Sequence, residues 1–475
     1  MSRSKTRHSV RQALFGAGMV VIAAMLYPGT ARAENLTDAM VGAYNTSGLL
    51  EQNRALLRAA DEDVAIAAST LRPVVDFIVA AQRDYSTTGS SSVAGVTTNT
   101  TSVTAQLGLD WLIWDNGARR LSLDAARETV LATRQSLVAV EQNILLRAVA
   151  AYFNVVLQSE NVALQRNNLR LLGEELRAAQ DRFDVGEVTR TDVALAESRV
   201  AATRSALSAA LGGLSDARAE YANAVGRQPG QLVGRTSLPA GPRSLADAQA
   251  LAVRSHPSIL AAQHQVAAAE LTVQQVAKSL GPSVTAGADV SSTESLSSSG
   301  YSNDATLSLT LTQRLYQGGG LNAQVRRAKA SRDSVRANLL TVQRDVVQDV
   351  SDAFVRLQVA RASLAASAEQ VRAARVAFEG IREEATLGAR TTLDVLSAEQ
   401  ELLDAQTAQI SARAEESVAA YQLLSAQGLL TAEKLGLAVQ IYDPTVYYNL
   451  AKDAPVKTSK QGRELDRVLK ALGKK

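Results

Sequence analysis

Two kinds of apolar spacing alternate along this chain, and each occurs twice. Val75, Phe77, Val79 and Ala81 stand at every second position, and so do Val103, Ala105, Leu107, Leu109, Trp111 and Ile113. Further on, Val284, Ala286, Ala288 and Val290 repeat the first set, and Leu307, Leu309, Leu311 and Leu315 the second. The positions between them include Thr104, Gln106 and Asp110, then Thr306, Ser308, Thr310, Thr312 and Arg314. A period of two predicts four strands, each with one apolar face. The Ser/Thr/Gly-rich stretches 86–102 and 291–303 read as polar hairpin loops joining them in pairs. Such strands suit a tilted bilayer crossing of roughly 9–11 residues; two soluble hairpins packed on helices are the alternative. Membrane barrels need about eight strands to close, so four facing lipid would have to share a barrel with other copies.

After each strand pair the period becomes helical. About 70 residues without proline then lead to a lone glycine, Gly186 or Gly388, which at 1.5 Å per residue is a helix near 100 Å. Val162, Leu169, Leu176 and Phe183 recur every seven residues, with Leu172 and Ala179 interleaved. The second copy has Leu364, Val371, Phe378 and Ala385, with Ala374 and Ile381 between them. Val193, Val200, Leu207, Leu214 and Tyr221 keep the spacing on the first return; the second begins with Val395 and Leu402, then offers Gln409 and Glu416. A glycine followed by Thr and Asp is a helix stop and restart, so each glycine marks the tip of a helical hairpin.

These correspondences are one internal duplication. Leu36-Thr37-Asp38-Ala39 and Leu71-Arg72-Pro73 match Leu245-Ala246-Asp247-Ala248 and Leu280-Gly281-Pro282 at an offset of 209. From Trp114 with Tyr316 to Gly226 with Gly428 the offset is 202, so the length difference lies in the strand segment. The reading is a 34–234 repeat (helix, strand pair 74–114, tip near 186), a linker at 235–243, and a 244–430 repeat (helix, strand pair 283–316, tip near 388). Residues 431–475 follow as a C-terminal segment with a basic, partly disordered tail.

Composition adds the compartment. Arg3, Lys5, Arg7 and Arg11, an apolar run from Ala13 to Tyr27 and Ala31-Arg32-Ala33 make residues 1–33 a secretory signal peptide. The absence of cysteine fits an exported chain and removes thiol chemistry. The net +3 becomes −2 once the five Arg/Lys of residues 1–33 are set aside, so charge gives no nucleic-acid reading. Gly318-Gly319-Gly320 lacks the Lys-Ser/Thr of a phosphate loop, and His256 and His264 sit in one predicted helix without a carboxylate cluster. No catalytic constellation and no cofactor site is expected, and the chain is not read as an enzyme.

The informative polar residues are at the tips: Asp192, Arg190, Asp394, Arg390 and Thr391. An acid just past a helix-breaking glycine serves as a first-turn residue of the next helix. In an oligomer that gathers tips about an axis it becomes a ring of carboxylates that attracts cations. The sequence leaves both readings open.

The chain resembles the TolC family of outer-membrane efflux channels. The likeness is carried by the L-x-D-A start, the proline before each strand pair, Arg182-Phe183-Asp184-Val185-Gly186 with Asp192-Val193, and Gly388-Ala389-Arg390-Thr391 with Asp394-Val395-Leu396. It implies a mainly α fold with membrane β: a homotrimer whose four strands per chain form a 12-stranded barrel continuous with a periplasmic helical barrel. It implies a periplasmic adaptor, an inner-membrane pump or ABC transporter, and contact with outer-membrane lipid. Carried over by position, Asp394 lines the periplasmic constriction, with Ser397 where a second acid is often found. Asp192, Arg390 and Thr391 would join links between protomers, though Ala385 stands where an aromatic partner is expected. Val185, Gly186, Glu187, Leu387, Gly388 and Ala389 fall where the adaptor would touch. The expected function is a passive exit duct for small toxic molecules or polypeptides; the rival is a periplasmic adaptor or coiled-coil scaffold without a pore.

Overall fold

The computed structural model describes residues 34–234 and 237–473. The signal-peptide reading at 1–33, and Arg235 and Thr236 of the linker, lie outside the described residues. Each repeat opens with two short helices, α1 (Leu36–Thr46) and α2 (Gly48–Ser69), then α5 (Leu245–Ser255) and α6 (Pro257–Lys278). The strands are β1 (Val74–Ser90), β2 (Val93–Trp114), β3 (Ser283–Ser295) and β4 (Tyr301–Thr312). The long helices α3 (Ala118–Asp184) and α7 (Gly320–Thr386) lead to the tips, and α4 (Arg190–Val225) and α8 (Thr392–Ala426) return from them.

The single helix expected at the start of each repeat is two. Ser47 and His256, at the offset of 209, both have extended backbone and cap the next helix, and Pro257 at its first position cannot continue the previous one. His256 is therefore a cap, its ring Nδ1 accepting from Ser258 N at 3.2 Å, while His264 meets Glu128 at 2.8 Å.

All four strands pair antiparallel in the order β1-β2-β3-β4. The register aligns the expected apolar positions in rows across the sheet: Val75, Leu109, Ala288 and Leu307 in one, Phe77, Leu107, Val290 and Ala305 in the next. No described residue covers this face; Phe77 is 71 % exposed and Leu307 86 %. The polar loop expected at 86–102 is instead strand, with Thr87 paired to Thr97 and a connection of two residues. Thr and Val are good strand formers whatever their polarity, so hydrophilic sequence here extends the hairpin rather than interrupting it. The loop expected at 291–303 likewise shortens to residues 296–300.

At 67 residues each, α3 and α7 are the spines. Helices α1, α2, α4, α6 and α8 lie against α3, and α5, α6 and α8 against α7. The main core sits midway along α3, where Leu145, Val149, Tyr152 and Phe153 are buried with Leu50, Leu57, Tyr221 and Val225. Of the expected heptad seam, Val162, Leu172 and Ala179 are buried, but Phe183, one turn from the tip, is 42 % exposed. On the second return Glu416 pairs with Arg361 at 3.5 Å, which keeps an acid at a seam position.

The C-terminal segment crosses back to the first repeat: Leu430, Ala432 and Leu437 join its core, and Ala432 N donates to Glu141 at 2.6 Å. Where a partly disordered tail was expected, the described residues form α9 (Pro444–Ala451) and α10 (Lys460–Leu472). The tail's aromatic and apolar residues supply the anchors. Tyr447 donates to Glu62 at 2.7 Å, Arg134 lies over the Tyr448 ring at 4.9 Å, and Leu465 packs on Tyr447 and Ala451.

Candidate functional site at the hairpin tips

Both tips are built alike. At the first, Glu187 N donates to Arg182 O at 2.9 Å and Gly186 N to Phe183 O at 3.0 Å; at the second, Ala389 N donates to Glu384 O at 2.9 Å and Gly388 N to Ala385 O at 3.1 Å. This double bond closes a helix through a left-handed residue, and Gly186 and Gly388 have φ of +80° and +77°. Three residues later Thr189 or Thr391 caps the returning helix, and Asp192 or Asp394 bonds back to it. Asp394 Oδ2 accepts from Thr391 N at 3.0 Å and from its hydroxyl at 2.8 Å; Asp192 Oδ2 accepts from Thr189 at 2.9 and 2.7 Å. These bonds hold both carboxyls below the usual range, the backbone bond leading for Asp394 and the side-chain bond for Asp192.

The residues assigned by resemblance to links between protomers are thus engaged within their own hairpin. Asp192 is bound by Thr189 and Thr391 by Asp394, while Arg390 pairs with Glu384 at 2.7 Å. Arg190 is the first residue of α4 and is not the counterpart of Arg390, which precedes its cap. Asp394 Oδ1 has no hydrogen-bond partner among the described residues, and Ser397 is exposed one turn on. The cap and the carboxylate ring are therefore compatible: one oxygen serves the helix and the other remains available. Val185 is 71 % exposed and Leu387 84 %, so each tip presents an apolar side chain beside its glycine, with Glu187 and Ala389 also exposed.

Sequence reasoning missed three features. Thr189 was legible as the first residue of a T-x-x-D capping box. Leu396, buried against Leu172 and Val200, joins the two hairpins just above the tips. Glu399 has no such signal: its counterpart Glu197 is exposed, whereas Glu399 is 6 % exposed and neither carboxylate oxygen has a hydrogen-bond partner among the described residues. Burial, then the nearby Glu175, push Glu399 up to about 7, against Arg382 and Arg199. Among the described residues no group of His, Cys, Asp and Glu could hold a metal ion, and no helix is long and apolar enough to cross a membrane.

The family model "Outer membrane efflux protein" matches residues 43–227 and 249–429, one stretch in each repeat. The outer membrane efflux protein BepC of Brucella suis biovar 1 (strain 1330) is 37 % identical over 448 residues, covering 91 % of this chain and 95 % of that protein. Among solved structures, the Campylobacter jejuni CmeC outer membrane channel superposes with a TM-score of 0.74 at 16 % identity, over 95 % of this chain and 98 % of that one. The open state of the Neisseria gonorrhoeae MtrE outer membrane channel gives 0.69 at 20 % identity, over 84 % and 90 %.

Proposed function

The chain belongs to the outer membrane efflux protein family, and on that premise we propose that three copies form one passive exit duct running from the periplasm through the outer membrane. The observation that carries the trimer is the sheet. It has an uncovered apolar face and two open edges, β1 and β4, and four strands cannot close in lipid. Two copies would make an eight-stranded barrel, whose interior is just filled by side chains; three make twelve strands and leave a passage.

Below the barrel, α3 and α7 reach about 100 Å toward the inner membrane. Gathered about the axis, the tips place three copies of Asp394, with Ser397 beside it, at the narrowest point. The Oδ1 atoms give that ring a cation preference. Asp192, Arg390 and Thr391 stiffen each hairpin and stand at the edges where neighbouring hairpins meet. Val185, Gly186, Glu187, Leu387, Gly388 and Ala389 form the surface that a periplasmic adaptor would grip, the exposed Val and Leu supplying apolar anchors. The adaptor couples the duct to an inner-membrane pump or ABC transporter, which supplies the energy for small toxic molecules or polypeptides. A scaffold without a pore has no use for the lipid-facing sheet.

The test joins mass to transport. Purified protein in detergent is expected to show three times the chain's mass by native mass spectrometry. Cells lacking the gene should accumulate a fluorescent cationic dye and be restored by the wild type, but not by Val185→Asp/Leu387→Asp inserted at equal level. A monomeric or dimeric mass would overturn the trimer, and full restoration by the double variant would overturn the adaptor surface.

A further inference from the structure

The turn between α9 and α10 is held against the foot of the membrane sheet. Arg72, two residues before β1 begins, donates to the Ala454 carbonyl at 2.9 Å and to that of Asp453. Ala454 has φ of +44°, a conformation that a non-glycine residue rarely adopts, and it coincides with the arginine clamp. At the same level the Trp111 indole N–H donates to Leu71 O at 3.3 Å, and Trp114 and Tyr316 are 45 % and 84 % exposed. Trp and Tyr at a strand foot mark the membrane–water boundary.

The turn carries the chemistry of that boundary. Val456 is 65 % exposed beside Pro455, in a stretch that contains Lys452, Lys457, Lys460 and Arg463 against one acid, Asp453. Lys457, Lys460 and Arg463 are exposed. An apolar tip beside exposed lysines, held by an arginine only two residues before β1, matches a phospholipid surface: acyl chains for the valine, phosphates for the ammonium groups.

We infer that residues 452–463 form a membrane-contact turn that binds anionic phospholipid in the periplasmic leaflet of the outer membrane. The inference rests on the sheet facing lipid as proposed above. The turn would fix the depth at which the duct sits, because it stops the helical arms from sliding into the bilayer.

The chain's lack of cysteine makes a site-specific probe direct. Val456→Cys, labelled with an environment-sensitive fluorophore in the full chain, is reconstituted into nanodiscs of phosphatidylethanolamine with or without phosphatidylglycerol, some carrying brominated acyl chains. Leu309→Cys reports on the sheet face and Val359→Cys on a helix far from it. The expected result is blue-shifted emission, quenched by brominated lipid, at 456 and 309 but not at 359. At 456 it should require phosphatidylglycerol and weaken about fivefold for each of Lys457→Gln and Lys460→Gln, and fall in Arg72→Ala. Quenching at 309 with none at 456 would overturn the membrane-contact turn alone. A blue shift at 456 that brominated lipid cannot quench would also overturn it, placing protein over the turn instead. No quenching at 309 would overturn the lipid-facing sheet itself.

Discussion

Arg382 on α7 meets Glu175 on α3 at 3.3 Å, and this ion pair bridges the two hairpins above their tips. By itself such a partly exposed pair is worth under about 1 kcal/mol. Its importance lies in what it neighbours: Glu399 on α8, buried and unbonded, feels Glu175 as a like charge and Arg382 and Arg199 as opposite ones. Removing the arginine leaves two acids facing each other. Arg382→Ala is expected to raise the Glu399 midpoint further, and a midpoint unmoved in that variant would show that the three groups do not act together.

Glu399 itself gives the hairpin packing a pH dependence. Its folded value of about 7 lies above the ordinary 4.5, so between those values the folded state holds a proton that the unfolded state has released. The contribution is fully present below about pH 4.5, and on the order of 3 kcal/mol is lost as pH climbs from there through 7. Hydrogen exchange over residues 395–403 should therefore slow at pH 5 relative to pH 8 after correction for intrinsic rates. In Glu399→Gln the difference should vanish; a Gln variant that keeps it would point to another group.

The tip glycines are expected to resist substitution by any residue that avoids the left-handed region. Gly388→Val costs roughly 1–2 kcal/mol at φ +77° although nothing crowds the site. Gly388→Asn should cost less, because Asn enters that region more readily. Efflux by the two variants at equal outer-membrane levels measures this, and equal activity would show that the turn's shape is unimportant to the proposed adaptor contact.

The N-terminus of the described chain is clamped. Glu34 accepts from Tyr221 at 2.6 Å and from Arg227 at 2.6 Å, and its backbone pairs with residues 231 and 233. The signal-peptide reading makes Glu34 the first mature residue, so sequencing the purified protein should begin there. Tyr221→Phe removes a buried donor to a carboxylate and should cost about 1.5–3 kcal/mol. The thermal unfolding midpoint checks it, and an unchanged midpoint would mean that Arg227 and the Gly230 N–H hold the clamp without the tyrosine.

Much of this architecture was readable in the chain because alternation and heptads report directly on which face of an element is covered. The apolar sets that contribute Val75, Leu109, Ala288 and Leu307 follow from spacing alone, whereas the β2–β3 pairing and the register that align them do not; the T-x-x-D boxes stood in the sequence but were missed. Other features depend on what one element meets in another. Residues 86–90 and 93–102 look like loop until cross-strand pairing supplies their bonds. Glu197 and Glu399 occupy the same motif position, and only the packing of α8 against α3 and α7 buries one of them. The tail's order rests on Glu62 and Arg134, far away in sequence. The split of the first helix was visible at Pro257 but not at Ser47, where only the duplication pointed to it.

The measurement that bears most directly on the duct is single-channel conductance of the purified full chain in a planar bilayer, wild type beside Asp394→Ala. The structure predicts small, cation-preferring openings in the wild type. In the variant they should be larger and less selective, because the substitution removes both the returning helix's cap contact and the free Oδ1 of each protomer. Protein shown to be inserted that opens in neither form would contradict the pore, and equal conductance and selectivity in both would contradict Asp394 as its constriction.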